Sequence, residues 1–286
     1  MEENKQGMLY LCATPIGNLG DLSPRIRQTL EEVDLIAAED TRNSRRLLSA
    51  FDIHTPMTSY HEYNKTEKAY RLIDQMRQGK QIALITDAGT PGISDPGEVL
   101  VRLCQESGIT VTSLPGPAAC ITALTLSGLS TRRFVFEGFL PENKKERTEV
   151  LEDLEQEKRT IILYAAPHDL KKVLSLLYEA LGERRITICR ELTKKFETVL
   201  PTTIPDAILK YETEEPRGEY VLVIEGKSLQ EIEAGKAAAF DEISIAEHVA
   251  MYEKQGMERK DAMKKAAKDR GLSKRDVYQM LLEKEE

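Results

Sequence analysis

The residues Leu84-Ile85-Thr86-Asp87-Ala88-Gly89-Thr90-Pro91-Gly92-Ile93-Ser94-Asp95-Pro96-Gly97 join the end of a short apolar strand to a turn with three glycines, two prolines and two aspartates. Glycine permits positive φ and close backbone approach, while proline fixes φ and removes a donor. Such a loop has a set shape and little side-chain bulk. At the carboxyl end of a parallel strand it lies where open α/β sheets hold ligands; the competing reading is a tight structural turn. Three other loops share this character: residues 14–21, residues 114–119 and the segment around Tyr164-Ala165-Ala166-Pro167. None matches a Gly-x-x-x-x-Gly-Lys-Ser/Thr phosphate loop, a Gly-x-Gly-x-x-Gly fingerprint or a Gly-x-Ser-x-Gly nucleophile elbow. Loops shaped by backbone, with few charges, suit a folded nucleoside-bearing ligand better than a triphosphate.

The elements that must carry these loops follow from hydrophobic patterning. Residues 8–13, 33–38, 82–85 and 109–114 read as strands, and the loops follow three of them. Ser23-Pro24 reads as an N-cap with proline at the first helical position, opening a helix through Glu32. Residues 41–50, 64–78, 96–107 and 118–127 read as further helices. This alternation implies a largely parallel sheet covered by helices. A second α/β unit is expected from Thr131, after the turn Gly128-Leu129-Ser130. Its strands are expected at 160–164, 185–190, 197–200 and 220–224, and its helices at 142–157, 169–181 and 205–211. The division is therefore an α/β domain over 1–130, a second over 131–227, a polar linker over 228–242 and a helical domain over 243–286.

At 286 residues the chain has room for this arrangement. Its four cysteines (Cys12, Cys104, Cys120 and Cys189) form no CxxC pair, and its four histidines show no metal-ligand spacing. Zinc and a disulfide framework are not expected, and a reducing cytoplasm fits. No apolar run approaches the roughly 20 residues that span a bilayer. The polar start, Met1-Glu2-Glu3-Asn4-Lys5-Gln6-Gly7, lacks the apolar core of a signal peptide. A net charge of −8 gives no global reason to expect nucleic acid.

The tail differs. Gly256-Met257-Glu258-Arg259-Lys260-Asp261-Ala262 is echoed fifteen residues later by Gly271-Leu272-Ser273-Lys274-Arg275-Asp276-Val277. Each copy has a helix-stopping glycine, an apolar staple, a capping-type residue and a basic pair. The pattern resembles a helix-turn-helix unit. From Lys254 to Arg275 there are nine basic and three acidic residues. One reading is a patch for RNA phosphates through Arg259, Lys260, Lys274 and Arg275; the other is a solvated bundle that completes the fold.

Taken in order, Thr14 to Asp21, Ala38-Glu39-Asp40-Thr41-Arg42, the 84–97 loop, Pro115-Gly116-Pro117-Ala118-Ala119 and Gly218 to Gly226 resemble the tetrapyrrole-methylase-like superfamily. Within it they are similar to the small-subunit ribosomal RNA methyltransferases. The resemblance extends to Arg190-Glu191-Leu192-Thr193-Lys194-Lys195 and the basic tail, and so covers essentially the whole chain. It implies two α/β domains with S-adenosylmethionine folded in the cleft between them, plus a small C-terminal helical domain, in a homodimer. It implies as acceptor the ribose 2′-hydroxyl of a cytidine in the decoding centre of 16S rRNA in the small ribosomal subunit. The superfamily's Gly-Asp-Pro cofactor loop corresponds here to Gly89-Thr90-Pro91, with threonine in place of aspartate. Asp87 or Asp95 is then left to supply the carboxylate. By the same correspondence Pro15, Ile93, Ser94, Ala118, Ala119, Tyr164, Ala165 and Tyr220 line the cofactor.

The chemistry this implies needs no metal, because the methyl group already sits on an electrophilic sulfonium. A proton acceptor for the hydroxyl would come from Asp40, His61 or Glu191. Each has a plainer reading: Asp40 as a helix cap, His61 as a surface histidine, Glu191 as the partner of Arg190 or Lys194. Arg42, Arg45 and Arg46 read as contacts to RNA phosphate or as a solvated helix face. Two other functions stay open, methylation of a tetrapyrrole and RNA binding without catalysis.

Overall fold

The computed structural model describes residues 7–228, 231, 240 and 243–282. Contacts divide the chain into two compact units. One runs to Leu154 and again from Arg159 to Glu225; the other comprises Glu155–Lys158 and the chain from Gly226 onward. The expected linker over 228–242 lies outside the described residues except at Ser228, Glu231 and Phe240.

The first unit holds two five-stranded sheets. The first sheet comprises β1 (Met8–Cys12), β2 (Leu35–Ala38), β3 (Met57–Ser59), β4 (Gln81–Ile85) and β5 (Thr110–Leu114). Their order is β3-β2-β4-β1-β5 and every pairing is parallel. All five carboxyl ends therefore share one edge. Helices α1 (Pro24–Glu32), α2 (Thr41–Ala50), α3 (Lys65–Arg77) and α4 (Glu98–Glu106) cover the faces. The period of two along β4 sorts its side chains. Ala83 and Ile85 join Ile26, Leu30 and Leu48 on one face, while Ile82 and Leu84 join Leu72, Met76 and Leu100 on the other. Ser23 caps α1, its Oγ accepting from the Ile26 amide at 3.2 Å, with Pro24 at the first position. The connection after β1 leads towards β2, whereas that after β4 leads past β1 to β5. The connection after β1 also passes β4, so the two cross in opposite directions on opposite faces, through α1 on one and α4 on the other, which opens a crevice between β1 and β4 at the carboxyl ends.

The second sheet comprises β6 (Phe134–Phe139), β7 (Thr160–Ala165), β8 (Arg185–Arg190), β9 (Thr198–Thr203) and β10 (Tyr220–Ile224). Its order is β6-β7-β10-β8-β9, parallel between β6 and β7 and antiparallel elsewhere. Helices α6 (Lys144–Gln156), α7 (Leu170–Leu181) and α8 (Ile204–Thr213) pack on one face. Helix α5 (Ala119–Leu126) packs on the other: Cys120, Ala123 and Leu124 meet Ile162, Cys189, Val221 and Val223. The sequence reading assigns residues 119–126 to the first domain, but their buried side chains serve the second sheet. Neither β3 nor β6 is anticipated by patterning.

In the second unit, α9 (Ile245–Lys254), α10 (Arg259–Asp269) and α11 (Lys274–Leu282) bury Val249, Tyr252, Ala262, Met263, Ala266, Ala267 and Val277 together. Ser244 and Glu247 form a reciprocal capping box at the start of α9. Ser273 and Asp276 exchange the equivalent pair of bonds before α11.

Leu222 is fully buried in the central strand β10. Leu222→Ala is expected to lower unfolding free energy by about 3 kcal/mol, and Ser23→Ala by about 1 kcal/mol. Urea denaturation with an unchanged slope would measure both.

Candidate active site

The loops after β1 and β4 are tied together across the crevice. The Thr14 amide donates to the Gly89 carbonyl at 2.8 Å and the Gly89 amide returns a bond to the Thr14 carbonyl at 3.1 Å. Thr14 Oγ1 also donates to the Thr86 carbonyl at 3.1 Å. Gly89 has φ 91°, a left-handed conformation that glycine adopts without strain. Thr90 Oγ1 then donates to the Pro117 carbonyl at 3.0 Å, joining this loop to the one after β5. The second sheet approaches from the other side. A Cβ on Gly138, in the β6 bulge, would lie 2.7 Å from Ser94 Oγ, so only a bare backbone lets the bulge come this near.

These loops and the second sheet enclose a cavity of about 460 Å³. Of the cofactor residues expected from sequence, Asp87, Gly89, Thr90, Ile93 and Ser94 line it from the β4 loop. Ala118 and Ala119 line it from the start of α5, Tyr164 and Ala165 from β7, and Tyr220 from β10. Pro15 does not line it; the adjoining Ile16 does. The lining also includes Asp95, the alternative carboxylate, and several residues that patterning does not single out, among them Glu39, Phe139, Leu192 and Glu219. Alanines at 118, 119, 165 and 166 keep the space open, and the Phe139 and Tyr164 rings meet edge to face at 5.5 Å. The volume and small-residue walls fit a folded nucleoside-bearing ligand.

Acids gather at the ends of β2 and β4. Thr86 Oγ1 donates to Glu39 Oε2 at 2.6 Å. The Asp87 carboxylate accepts from the Asp40 amide at 3.3 Å and from Asn43 Nδ2 at 2.8 Å. Burial, followed by the negative charge of Glu39, pushes the Asp95 carboxyl up to about 7, against the lowering effect of a hydrogen bond from Thr86. The Tyr164 hydroxyl accepts from the Cys120 amide at 3.2 Å, and burial raises its pKa.

None of the three expected proton acceptors lines the cavity. Asp40 is the N-cap of α2, its carboxylate accepting from the Arg42 amide at 2.8 Å and from Arg42 Nε and Nη2 at 3.1 and 2.8 Å. The Arg42 side chain holds it down to about 2. Glu191 has φ 52°, and its Oε1 accepts from Lys194 Nζ at 2.9 Å and from the Glu219 amide at 3.0 Å. Burial raises its carboxyl, but these donors outweigh that and leave it lowered. His61 follows β3 on the same sheet edge. Its Nε2 lies 3.2 Å from Asn64 Nδ2, and its buried Nδ1 has no partner among the described residues. Arg42, Arg45 and Arg46 are exposed on α2, and Arg259, Lys260, Lys274 and Arg275 are exposed in the tail unit.

Among the described residues, no group of three or more His, Cys, Asp or Glu side chains is placed to hold a metal ion. No described helix is long and apolar enough to cross a membrane.

The model of the tetrapyrrole (corrin/porphyrin) methylases matches residues 8–208. A ribosomal RNA small subunit methyltransferase I from Synechocystis sp. is 46% identical over 280 residues, covering 98% of this chain and 99% of the relative. Another of that name from Bacillus subtilis is 44% identical over 276 residues, covering 96% and 94%. A solved diphthine synthase superposes with a TM-score of 0.63 at 13% identity, over 78% of this chain and 91% of that one. The uroporphyrin-III-C-methyltransferase of Thermus thermophilus gives 0.55 at 18%, over 77% and 94%; both likenesses show a shared fold. The parallel strand-end loops, the facing second sheet and these near full-length relatives agree, and the chain belongs to the tetrapyrrole methylase family, in its ribosomal RNA small subunit methyltransferase I group, with S-adenosylmethionine as methyl donor.

Proposed function

We propose that the cavity holds S-adenosylmethionine and that the chain methylates the ribose 2′-hydroxyl of a cytidine in the decoding centre of 16S rRNA, as a cytoplasmic homodimer. The observation that supports this most is the match, over nearly the whole length, to relatives named for the small ribosomal subunit. Charge placement agrees with it. No Lys, Arg or His among the described residues lines the cavity, whereas Arg42, Arg45 and Arg46 on α2 are exposed. The cavity thus suits the cofactor, and the outer arginines suit phosphate.

Bound there, S-adenosylmethionine supplies an electrophilic methyl group. The chain's own work is to hold, orient and exclude water. The backbone of Gly89 and Thr90 and the alanines at 118, 119 and 165 fix one position for the donor. Alignment of this kind contributes about 7–11 kcal/mol in favourable cases. None of the expected proton acceptors lines the cavity; His61, on the β3 edge, is the one that no ion pair engages among the described residues, and we assign it the hydroxyl proton. Asp40 and Glu191 are committed to Arg42 and Lys194 and act as positioning residues. The target nucleotide must leave its stack to enter a cleft, and the 2′-hydroxyl marks it as RNA. In the tail unit Arg259, Lys260, Lys274 and Arg275 are proposed to contact further phosphates.

Small ribosomal subunits incubated with methyl-labelled cofactor should acquire label on the 2′-oxygen of one cytidine. Label only in a porphyrinoid acceptor, or in no acceptor, contradicts the proposal. His61→Ala should slow transfer about 10²-fold or more at unchanged cofactor affinity; a near-normal rate removes the histidine from this role. Ala118→Leu, which fills the cavity, should weaken cofactor binding at least about tenfold with Tm unchanged. Glutamine at 259, 260, 274 and 275 should flatten the salt dependence of subunit binding while cofactor affinity stays the same.

A further inference from the structure

We infer that the cavity distinguishes S-adenosylmethionine from its demethylated product by charge, and that Asp95 is the residue that sets this discrimination. The inference rests on the proposed placement of the cofactor. Four carboxylates, those of Glu39, Asp87, Asp95 and Glu219, line the cavity, and no cationic side chain among the described residues does. Asp87 accepts from Asn43 and Glu219 from Lys194 Nζ at 2.8 Å, while the single Thr86 hydroxyl is shared between Glu39 and Asp95. That lysine is shared with Glu191, so it does not neutralise the wall.

The donor carries a sulfonium, an ammonium and a carboxylate, a net charge of one positive. In the transfer the carbon–sulfur bond breaks, its electron pair stays on sulfur and a carbon–oxygen bond forms. The hydroxyl proton leaves with the remaining positive charge. The product is then a neutral thioether with no net charge. An acidic wall therefore favours the donor and not the product. At partly screened contact distances one carboxylate facing the sulfonium is worth roughly tenfold in affinity.

With its carboxyl pushed up to about 7, Asp95 changes charge near neutral pH. The groups that face it are Glu39 at the end of β2, Thr86 and Asp87 at the end of β4, and Tyr164 on β7. Burial and the repulsion of Glu39 favour its neutral form. A cationic ligand reverses that preference and a neutral one does not. Donor binding near pH 7 should thus release protons, and product binding should not. The same balance should appear in the stability of the protein without ligand. A carboxyl raised from its ordinary range to about 7 costs nothing below about pH 4 and its full cost above about pH 7. Asp95→Asn should accordingly raise Tm more at pH 8 than at pH 5.

Titration calorimetry of the full chain with donor and with product, from pH 6 to pH 8.5, tests the inference. The wild type should prefer the donor increasingly as pH rises, by about tenfold across this range. Asp95→Asn should bind product within about twofold of wild type and lose both the preference and its pH dependence. Glu39→Gln should move the midpoint of the dependence to lower pH. A wild-type preference that does not change with pH overturns the inference, as does an Asp95→Asn variant that keeps the wild-type profile. Should Asp95→Asn not fold, the wild-type series and Glu39→Gln decide. If Ala118→Leu leaves both ligands bound, the placement of the cofactor fails. If Ala118→Leu excludes both while Asp95→Asn behaves as wild type, only the charge discrimination fails.

Discussion

The paired hydrogen bonds between Thr14 and Gly89 hold the loops after β1 and β4 at the point where their chain connections leave for opposite faces of the sheet. Because the first sheet is parallel throughout, every loop after a strand emerges on the same edge. The Thr14–Gly89 bridge keeps two of these loops from closing the crevice or drifting apart. Thr90 extends the tie to Pro117, where α5 begins. Helix α5 then packs on the second sheet, so one chain of contacts runs from the bridge to Tyr164 and Val221. Backbone and alanine leave room in the cavity between the two sheets, while Phe139, Tyr164 and Tyr220 and the carboxylates of Glu39, Asp87, Asp95 and Glu219 give its wall shape and charge.

That construction explains what was legible in sequence. Glycine and proline clustering exposes the loops themselves, and the apolar runs before them expose β1, β4 and β5. The fold places most of the expected cofactor residues on one cavity. Pro15 departs from the expectation because the adjoining Ile16, not Pro15, lines the space; single-residue shifts of this sort are not encoded in composition. Glu39 escapes notice because Glu39-Asp40-Thr41-Arg42 has the form of a helix start, and Asp40 does cap α2. The neighbouring carboxylate reaches the cavity only because β2 lies beside β4 and sets Glu39 against Thr86. The raised Asp95 carboxyl depends on that same long-range meeting.

Strands β3 and β6 show a different limit. Met57–Ser59 is three residues long and half-buried throughout, too short for a period to declare itself. Phe134–Phe139 is broken by a register shift before Gly138, and it forms a sheet edge with exposed phenylalanines. Edge strands owe their conformation to a neighbour more than to their own pattern. The tail lies at the opposite extreme. Of its repeated caps, Ser273–Asp276 forms the bonds that the pattern describes, whereas Glu258, the matching residue of the first copy, makes no side-chain cap bond. Inside it, His248 is fully buried, and its Nδ1 accepts from Arg270 Nε at 3.1 Å. One of the nine basic residues from Lys254 to Arg275 thus serves its interior, while Lys260, Lys264 and Lys268, four residues apart on α10, remain exposed.

The central claim is that a donor-shaped cavity is built from these strand-end loops and the facing sheet. Hydrogen exchange with and without S-adenosylmethionine tests it most directly, because the claimed contacts are largely to backbone. Protection is predicted in segments 86–97, 118–123, 164–167 and 219–221, with residues 259–282 unchanged. Protection confined to the tail, or spread evenly over both sheets with these four segments unaffected, would contradict the account.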